Sequence, residues 1–156
     1  MVLKTGALPG LQLNDKSILT QLIDTDTLTS PDLKTSPCLF QTYIEKSYEL
    51  RVYVIHDDVF ACRIESQANE KTKTDWRRYN LKETPHYKEK LSADVEEKCR
   101  RIVRDLGLEF GAIDLIVTPA GETVFLECNT QGHWLWIEEL TGLPITQAIC
   151  SRLAGC

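Results

Sequence analysis

Two alternating apolar runs, residues 111–118 and 123–129, flank a Pro119-Ala120-Gly121-Glu122 break, and no other stretch restricts the possible folds as much. Period-two alternation on both sides of a turn signal predicts a β-hairpin. Centred on Ala120-Gly121, that hairpin puts Asp114 directly opposite Glu127. Opposed residues share a face of the sheet, and Asn129 joins them because side chains alternate. Two carboxylates and an amide oxygen then meet on one patch. Like charges placed opposite one another destabilise a sheet. A divalent cation removes that penalty, and all-oxygen donors suit Mg²⁺ or Mn²⁺.

The remaining elements can be read around this hairpin. Residues 1–36 are the least patterned part: a strand fragment over 1–4, a short helix over 14–23, then turn-like Thr and Pro positions. Residues 38–44 read as a strand. Residues 49–56 and 59–66 read as two more, joined at Asp57-Asp58 as a tight hairpin. Alternation puts Glu49, Arg51 and Tyr53 on one face, and an unbulged hairpin puts Arg63 on the other. Residues 67–90 form a polar 24-residue loop, a length that marks function or disorder. Ser92 is a good N-cap, followed by an apolar stripe of Val95, Cys99, Ile102, Val103 and Leu106 closed by Gly107. After the central hairpin, residues 132–136 read as a turn holding two packing tryptophans, with His133 a lone structural or exposed histidine. A last helix follows, with Ile145, Ile149 and Leu153 inward. Strands and hairpins mixed with two helices predict an α+β fold with a mainly antiparallel sheet and flanking helices.

Composition limits the function classes. The chain has 156 residues, enough for one domain or part of one, and a 42% hydrophobic content that supports a core. Its net charge of −5 argues against a dedicated nucleic-acid binder. Residues 67–90 hold seven Lys or Arg against four acids, so they carry +3 and the rest carries −8. A basic loop on an acidic body suits an anionic ligand as well as a solvated surface. No apolar run is long enough to span a membrane, and no signal peptide opens the chain. Six cysteines without metal-type spacing read as small buried hydrophobes in a reducing, cytoplasmic setting.

The order of motifs resembles that of a known family. Leu39-Phe40-Gln41-Thr42-Tyr43-Ile44-Glu45-Lys46, Glu49-Leu50-Arg51, Phe60-Ala61, Ser66-Gln67, Asp75-Trp76-Arg77, Asp114 in a strand, and Glu127 through Trp136 look like the C-terminal half of an ATP-grasp ligase. The subgroup they resemble crosslinks microviridin-type (graspetide) precursor peptides. The resemblance covers residues 37–156 and rests on the order of many short motifs, since Glu-x-Asn alone is common.

The resemblance implies roles position by position. Asp114, Glu127 and Asn129 match the Mg²⁺ (or Mn²⁺) ligands that hold ATP phosphates. Gln41, Thr42, Tyr43 and Ile44 match the hinge around adenine, Glu49 the acid on the ribose hydroxyls, and Leu126 the apolar residue against adenine, although alternation points it away from Glu127. Arg51 and Arg77 match the basic residues beside the transferred phosphate. Lys4 matches an ATP-binding lysine. The chemistry implied is activation of a carboxylate as an acyl phosphate, followed by attack of an amine or hydroxyl. The implied product is a side-chain ester or amide within a ribosomal precursor peptide. The alternatives are another amino-acid or glutamate ligase of the superfamily, or a nucleotide- or peptide-binding module without turnover.

The resemblance also sets expectations for architecture. Residues 1–36 would be a remnant of the N-terminal ATP-grasp subdomain and 37–156 its C-terminal subdomain, an incomplete ATP-grasp domain. The implied partners are the precursor peptide, a separate N-terminal ligase part or second subunit, and a second copy in a homodimer, with no nucleic acid and no membrane. One departure stands out: Gly132-His133-Trp134 replaces the family's Gly-Gln-Trp.

Overall fold

The computed structural model describes residues 2–5, 21–22, 38–69, 72–74 and 83–155. Strands β1 (Val2–Thr5), β2 (Gln21–Leu22) and β3 (Cys38–Gln41) make a small antiparallel sheet with β1 in the middle. In it Lys4 is paired with Leu39. The expected strand at the start is therefore present. The helix expected over 14–23 falls mostly outside the described residues, but Gln21–Leu22 within it is strand. The strand expected over 38–44 stops at Gln41, and Thr42 to Ile44 continue as exposed irregular chain.

The main sheet holds β4 (Tyr48–Ile55), β5 (Asp58–Ile64), β6 (His86–Glu89), β7 (Phe110–Val117) and β8 (Thr123–Asn129). Its order is β6-β5-β4-β7-β8, every neighbour antiparallel. Helix α1 (Ala93–Asp105) covers one face. Helices α2 (Leu135–Thr141) and α3 (Ile145–Ala154) cover part of the other. The α+β fold with an antiparallel sheet and flanking helices is as expected.

The central strand β4 explains the layering. All of its residues but Tyr48 are buried. Leu50, Val52 and Val54 pack with Ile113, Leu115 and Val117 of β7 against Cys99 and Val103 of α1. Tyr53 and Ile55 pack with Cys62, Ile64 and Ala112 under Ile137 of α2 and Ile145 of α3. Each fully buried aliphatic side chain here contributes about 1.5–3 kcal/mol.

Local sequence sets most boundaries. Ser92 Oγ accepts the Val95 amide, with Asp94 and Glu96 in the first turn of α1. Leu106, expected on the buried stripe, is instead the solvent-facing C-cap, and Gly107 takes the left-handed φ of +69° just beyond it. The β4–β5 turn is His56-Asp57 rather than Asp57-Asp58, with His56 at φ +54°. Arg63 pairs with Leu50, so it lies on the α1 face as expected.

Other expectations also need correction. The 67–90 stretch is not all loop, because His86–Glu89 pairs with β5 as an edge strand. Its alternation was hidden by a short, polar sequence. The turn expected over 132–136 gives way to α2 at Leu135, where the Trp134 carbonyl accepts the Ile137 and Glu138 amides. Leu153 is exposed rather than inward, while Ile145 and Ile149 do pack. Among the cysteines, Cys62 and Cys99 are buried as expected, but Cys150 is exposed. No helix among the described residues is long and apolar enough to cross a membrane.

Candidate functional site

One cross-sheet row concentrates the charged chemistry. Registers place Glu127 opposite Asp114, Asp114 opposite Arg51, Arg51 opposite Cys62, and Cys62 opposite Lys88. These five residues cross all five strands on the face that α2 and α3 leave partly open. The facing of Asp114 and Glu127 is as expected, yet it arises differently. Near the turn Val117 pairs with Thr123 and Leu115 with Phe125, a register that would set Leu126 opposite Asp114. A one-residue shift between Leu115 and Asp114 then brings Glu127 there instead, with Leu126 the extra residue of a bulge. Counted from Val124, Leu126 belongs to the same face as Asp114. The bulge thus reconciles Leu126 and Glu127 on one patch, which unbroken alternation forbids.

Arg51 changes the electrostatic argument for a cation. Its Nη1 lies 2.7 Å from Asp114 Oδ1, and its Nε donates to the Tyr53 hydroxyl at 3.3 Å. The Tyr53 hydroxyl in turn donates to the His133 carbonyl at 2.6 Å. Burial by itself would lower the Arg51 pKa, but Asp114 and Tyr53 outweigh it and hold the guanidinium charged above its usual value. The carboxylate pair is therefore already partly compensated from the β4 side, so repulsion alone does not demand a metal. Gly132 completes the arrangement. A Cβ there would stand 2.1 Å from Ala112 Cβ and 2.7 Å from Arg51 Nη2. Only glycine lets the loop after β8 close over the guanidinium.

Asn129 Oδ1 accepts the Gln131 amide at 2.8 Å, turning it into the start of that same loop. Glu127 and Asn129 are exposed and Asp114 is partly so. This set is all oxygen and suits a hard cation. Among the described residues no group of three or more His, Cys, Asp or Glu is placed to hold a metal. A site here therefore has to draw on the asparagine as well as the two carboxylates.

Glu49 shares the Arg51 face one row away, opposite Ile116. It is buried, and its Oε1 receives Lys46 Nζ at 2.7 Å. Burial raises its pKa, against the lowering effects of Lys46 and Ser66. Lys46 was missed in the sequence. No local signal marks it, because a spacing of three pairs side chains on a helix and Lys46 lies in irregular chain before β4. Arg77 lies outside the described residues, and Lys4 is placed only by its backbone in β1. Trp134 and Trp136 pack as expected: Trp134 against Phe110, with its Nε1 on Thr146, and Trp136 edge-on to His86. A groove of about 480 Å³ lies on the other face, between α1 and the β7–β8 hairpin, away from these carboxylates.

Solved structures match this fold over most of the chain. A RiPP-associated ATP-grasp ligase from Chryseobacterium gregarium, solved with ADP and a leader and core peptide, is 33% identical with a TM-score of 0.78, covering 88% of this chain and 42% of its own. The chain is similar to part of the RiPP ATP-grasp ligases. The macrocyclase MdnC from Microcystis aeruginosa, solved with precursor peptide MdnA, is 28% identical with a TM-score of 0.78 over 97% of this chain and 47% of its own. The ATP-grasp ligase PsnB, solved with a phosphomimetic minimal precursor, Mg and ADP, shares the fold at 23% identity, with a TM-score of 0.74 over 99% of this chain and 45% of its own. The chain thus spans less than half the length of these RiPP ATP-grasp ligases. No protein-family model and no curated protein sequence matches it.

Proposed function

We propose that this chain supplies the nucleotide- and metal-binding half of an ATP-grasp ligase that crosslinks side chains of a ribosomal precursor peptide. The observation that carries the reading is the row Glu127–Asp114–Arg51, which sets oxygen donors beside a fixed guanidinium on one open face. Likeness to the Chryseobacterium ligase and to MdnC supports the substrate class.

Asp114, Glu127 and Asn129 hold Mg²⁺ (or Mn²⁺), which supplies charge neutralisation for the ATP phosphates. Arg51, kept cationic by Asp114 and oriented by Tyr53, stabilises negative charge that develops on the transferred phosphoryl group. Arg77 is assigned the same task from the sequence resemblance alone. Gln41 to Ile44 and Leu126 would take the adenine, Glu49 the ribose hydroxyls, and Lys4 a phosphate contact. A carboxylate of the peptide becomes an acyl phosphate, and an amine or hydroxyl displaces phosphate. The remaining half of a ligase, in the same polypeptide or as a second subunit, completes the pocket, and the protein acts in the cytoplasm.

A second reading has its own support. The exposed Glu127 and Asn129 beside Asp114 also fit a nucleotide- or peptide-binding module without turnover. The test begins with calorimetric titration of the full chain with Mg²⁺ and ADP. Binding should require Mg²⁺ and weaken at least about tenfold in Asp114→Asn/Glu127→Gln, as loss of charged ligands does. Absence of nucleotide binding overturns both readings. Incubation with ATP, Mg²⁺ and an acidic precursor peptide then separates them: loss of water from the peptide by mass spectrometry supports the ligase, and binding without product supports the module.

A further inference from the structure

The Lys46–Glu49 pair takes two charges out of water, which is costly. Both side chains are buried, and Nζ meets Oε1 at 2.7 Å. A buried ion pair is weak evidence for stability, since apolar residues of similar volume often serve as well. Its surroundings point to orientation instead. Lys46 Nζ also reaches the Thr74 carbonyl at 3.4 Å. The segment that carries Thr74 is closed on itself, because the buried Thr72 hydroxyl donates to the Ser66 carbonyl at 2.6 Å and meets the Asn69 carbonyl at 3.0 Å. Ser66, also buried, is among the groups that lower the Glu49 pKa against the effect of burial. The ammonium is thus held between a fixed carbonyl and a carboxylate, two residues after Ile44.

We propose that Lys46 is a positioning residue for the nucleotide sugar: its ammonium fixes Oε1 of Glu49 and so sets the direction in which that carboxylate meets the ribose hydroxyls. This rests on the assignment of Glu49 to the ribose. In this assignment Lys46 acts through Glu49 and makes no contact of its own with the nucleotide. Its effect should therefore fall on sugar recognition and leave phosphate and metal recognition alone. A hydrogen bond to a charged acceptor is strong, and its loss through misalignment costs on the order of tenfold in affinity.

The experiment compares binding of ATP and 2′,3′-dideoxy-ATP, each with Mg²⁺, to the full chain. The wild type should prefer ATP by on the order of tenfold. Glu49→Gln should lose that preference, and a Glu49→Gln chain that keeps it overturns the ribose assignment and this inference with it, as does a wild type without preference. Lys46→Met should also lose the preference, yet bind the dideoxy nucleotide as the wild type does. Lys46→Met/Glu49→Gln should match Glu49→Gln alone. Lys46→Arg keeps the charge but displaces the donor; it should fold normally, with melting followed by circular dichroism, and keep only part of the preference. If Glu49→Gln loses the preference while folded Lys46→Met, or Lys46→Arg, keeps it in full, the ribose assignment survives and the positioning role does not.

Discussion

The two faces of the main sheet are built on different terms. The α1 face is apolar where the helix covers it: Leu50, Val52, Val54, Ile113, Leu115 and Val117 pack against Cys99 and Val103, with Arg63 beside Leu50 on the next strand. The opposite face is apolar only where α2 and α3 cover it, and past Tyr53 it changes to Arg51, Glu49 and Asp114. The same strands supply both, so strand propensity does not explain the difference. A buried guanidinium and a buried carboxylate each need partners that an aliphatic side chain does not. The first face gives the sheet its stability, and the second spends some of it on holding charges in place.

The largest effect should come from the first face. Ile113 is fully buried between β4 and α1. Ile113→Ala should lower unfolding stability by about 3–4 kcal/mol in a denaturant titration. It should leave the Arg51–Asp114 contact formed, since the cavity opens on the other side of β7. If instead a mutation on the α1 face alters the second face as strongly, the two are one cooperative unit and the contrast is only compositional.

Next comes the guanidinium. Arg51→Met leaves Asp114 facing Glu127 with no cation from β4, which should cost about 2–3 kcal/mol, less than a fully enclosed pair because Asp114 is partly exposed. Arg51→Met/Asp114→Leu should recover most of that loss. The comparison sharpens with added Mg²⁺, which should raise the melting temperature of Arg51→Met more than that of the wild type. Equal response in both chains counts against a metal at these carboxylates.

The hairpin shows how far sequence reaches and where it stops. The facing of Asp114 and Glu127 was legible, but only because two unseen features offset each other. The turn closes around Thr118 to Glu122, with Gly121 at φ +80°; it centres on Ala120, which puts the register one residue off, and the bulge at Leu126 restores the pairing. Bulges of this kind carry no residue signature in an alternating run. The strands β4 and β5 were legible because their alternation is long. Strand β6 and helix α2 were not, being four and seven residues long. Burial of Lys46 was also hidden, since a lysine in a link between strands reads as solvated until tertiary packing closes over it.

A smaller effect tests how tightly the second face is closed. Gly132→Ala drives a methyl group into Ala112 and the Arg51 guanidinium. Overpacking of this kind should cost about 2 kcal/mol. The loss should appear with a looser loop after β8, read as faster exchange of its amides, that of Gln131 on Asn129 Oδ1 among them. A loop that accepts alanine without change would mean that Arg51 is not enclosed from that side.

The smallest effect places one thiol on each face against the other. Burial pushes Cys62 on the second face up to about 12, opposed only in part by a hydrogen bond from the Tyr87 backbone. Burial, with added repulsion from Cys128 and Glu96, pushes Cys99 on the α1 face up to about 11. An acid whose folded pKa is raised keeps its proton longer in the folded chain than in the unfolded one. Below the ordinary thiol value of 9.0 both states are protonated and stability is unaffected. Above it the unfolded chain releases protons first, so stability falls as pH rises toward about 11 and then about 12. Native-state alkylation turns this into a comparison of faces. Exposed Cys150 should react at once, while Cys62 and Cys99 wait for opening. If the charged face opens first, Cys62 is modified before Cys99 despite its higher pKa. Modification of both at one common rate would mean that the sheet exposes its two faces only by global unfolding.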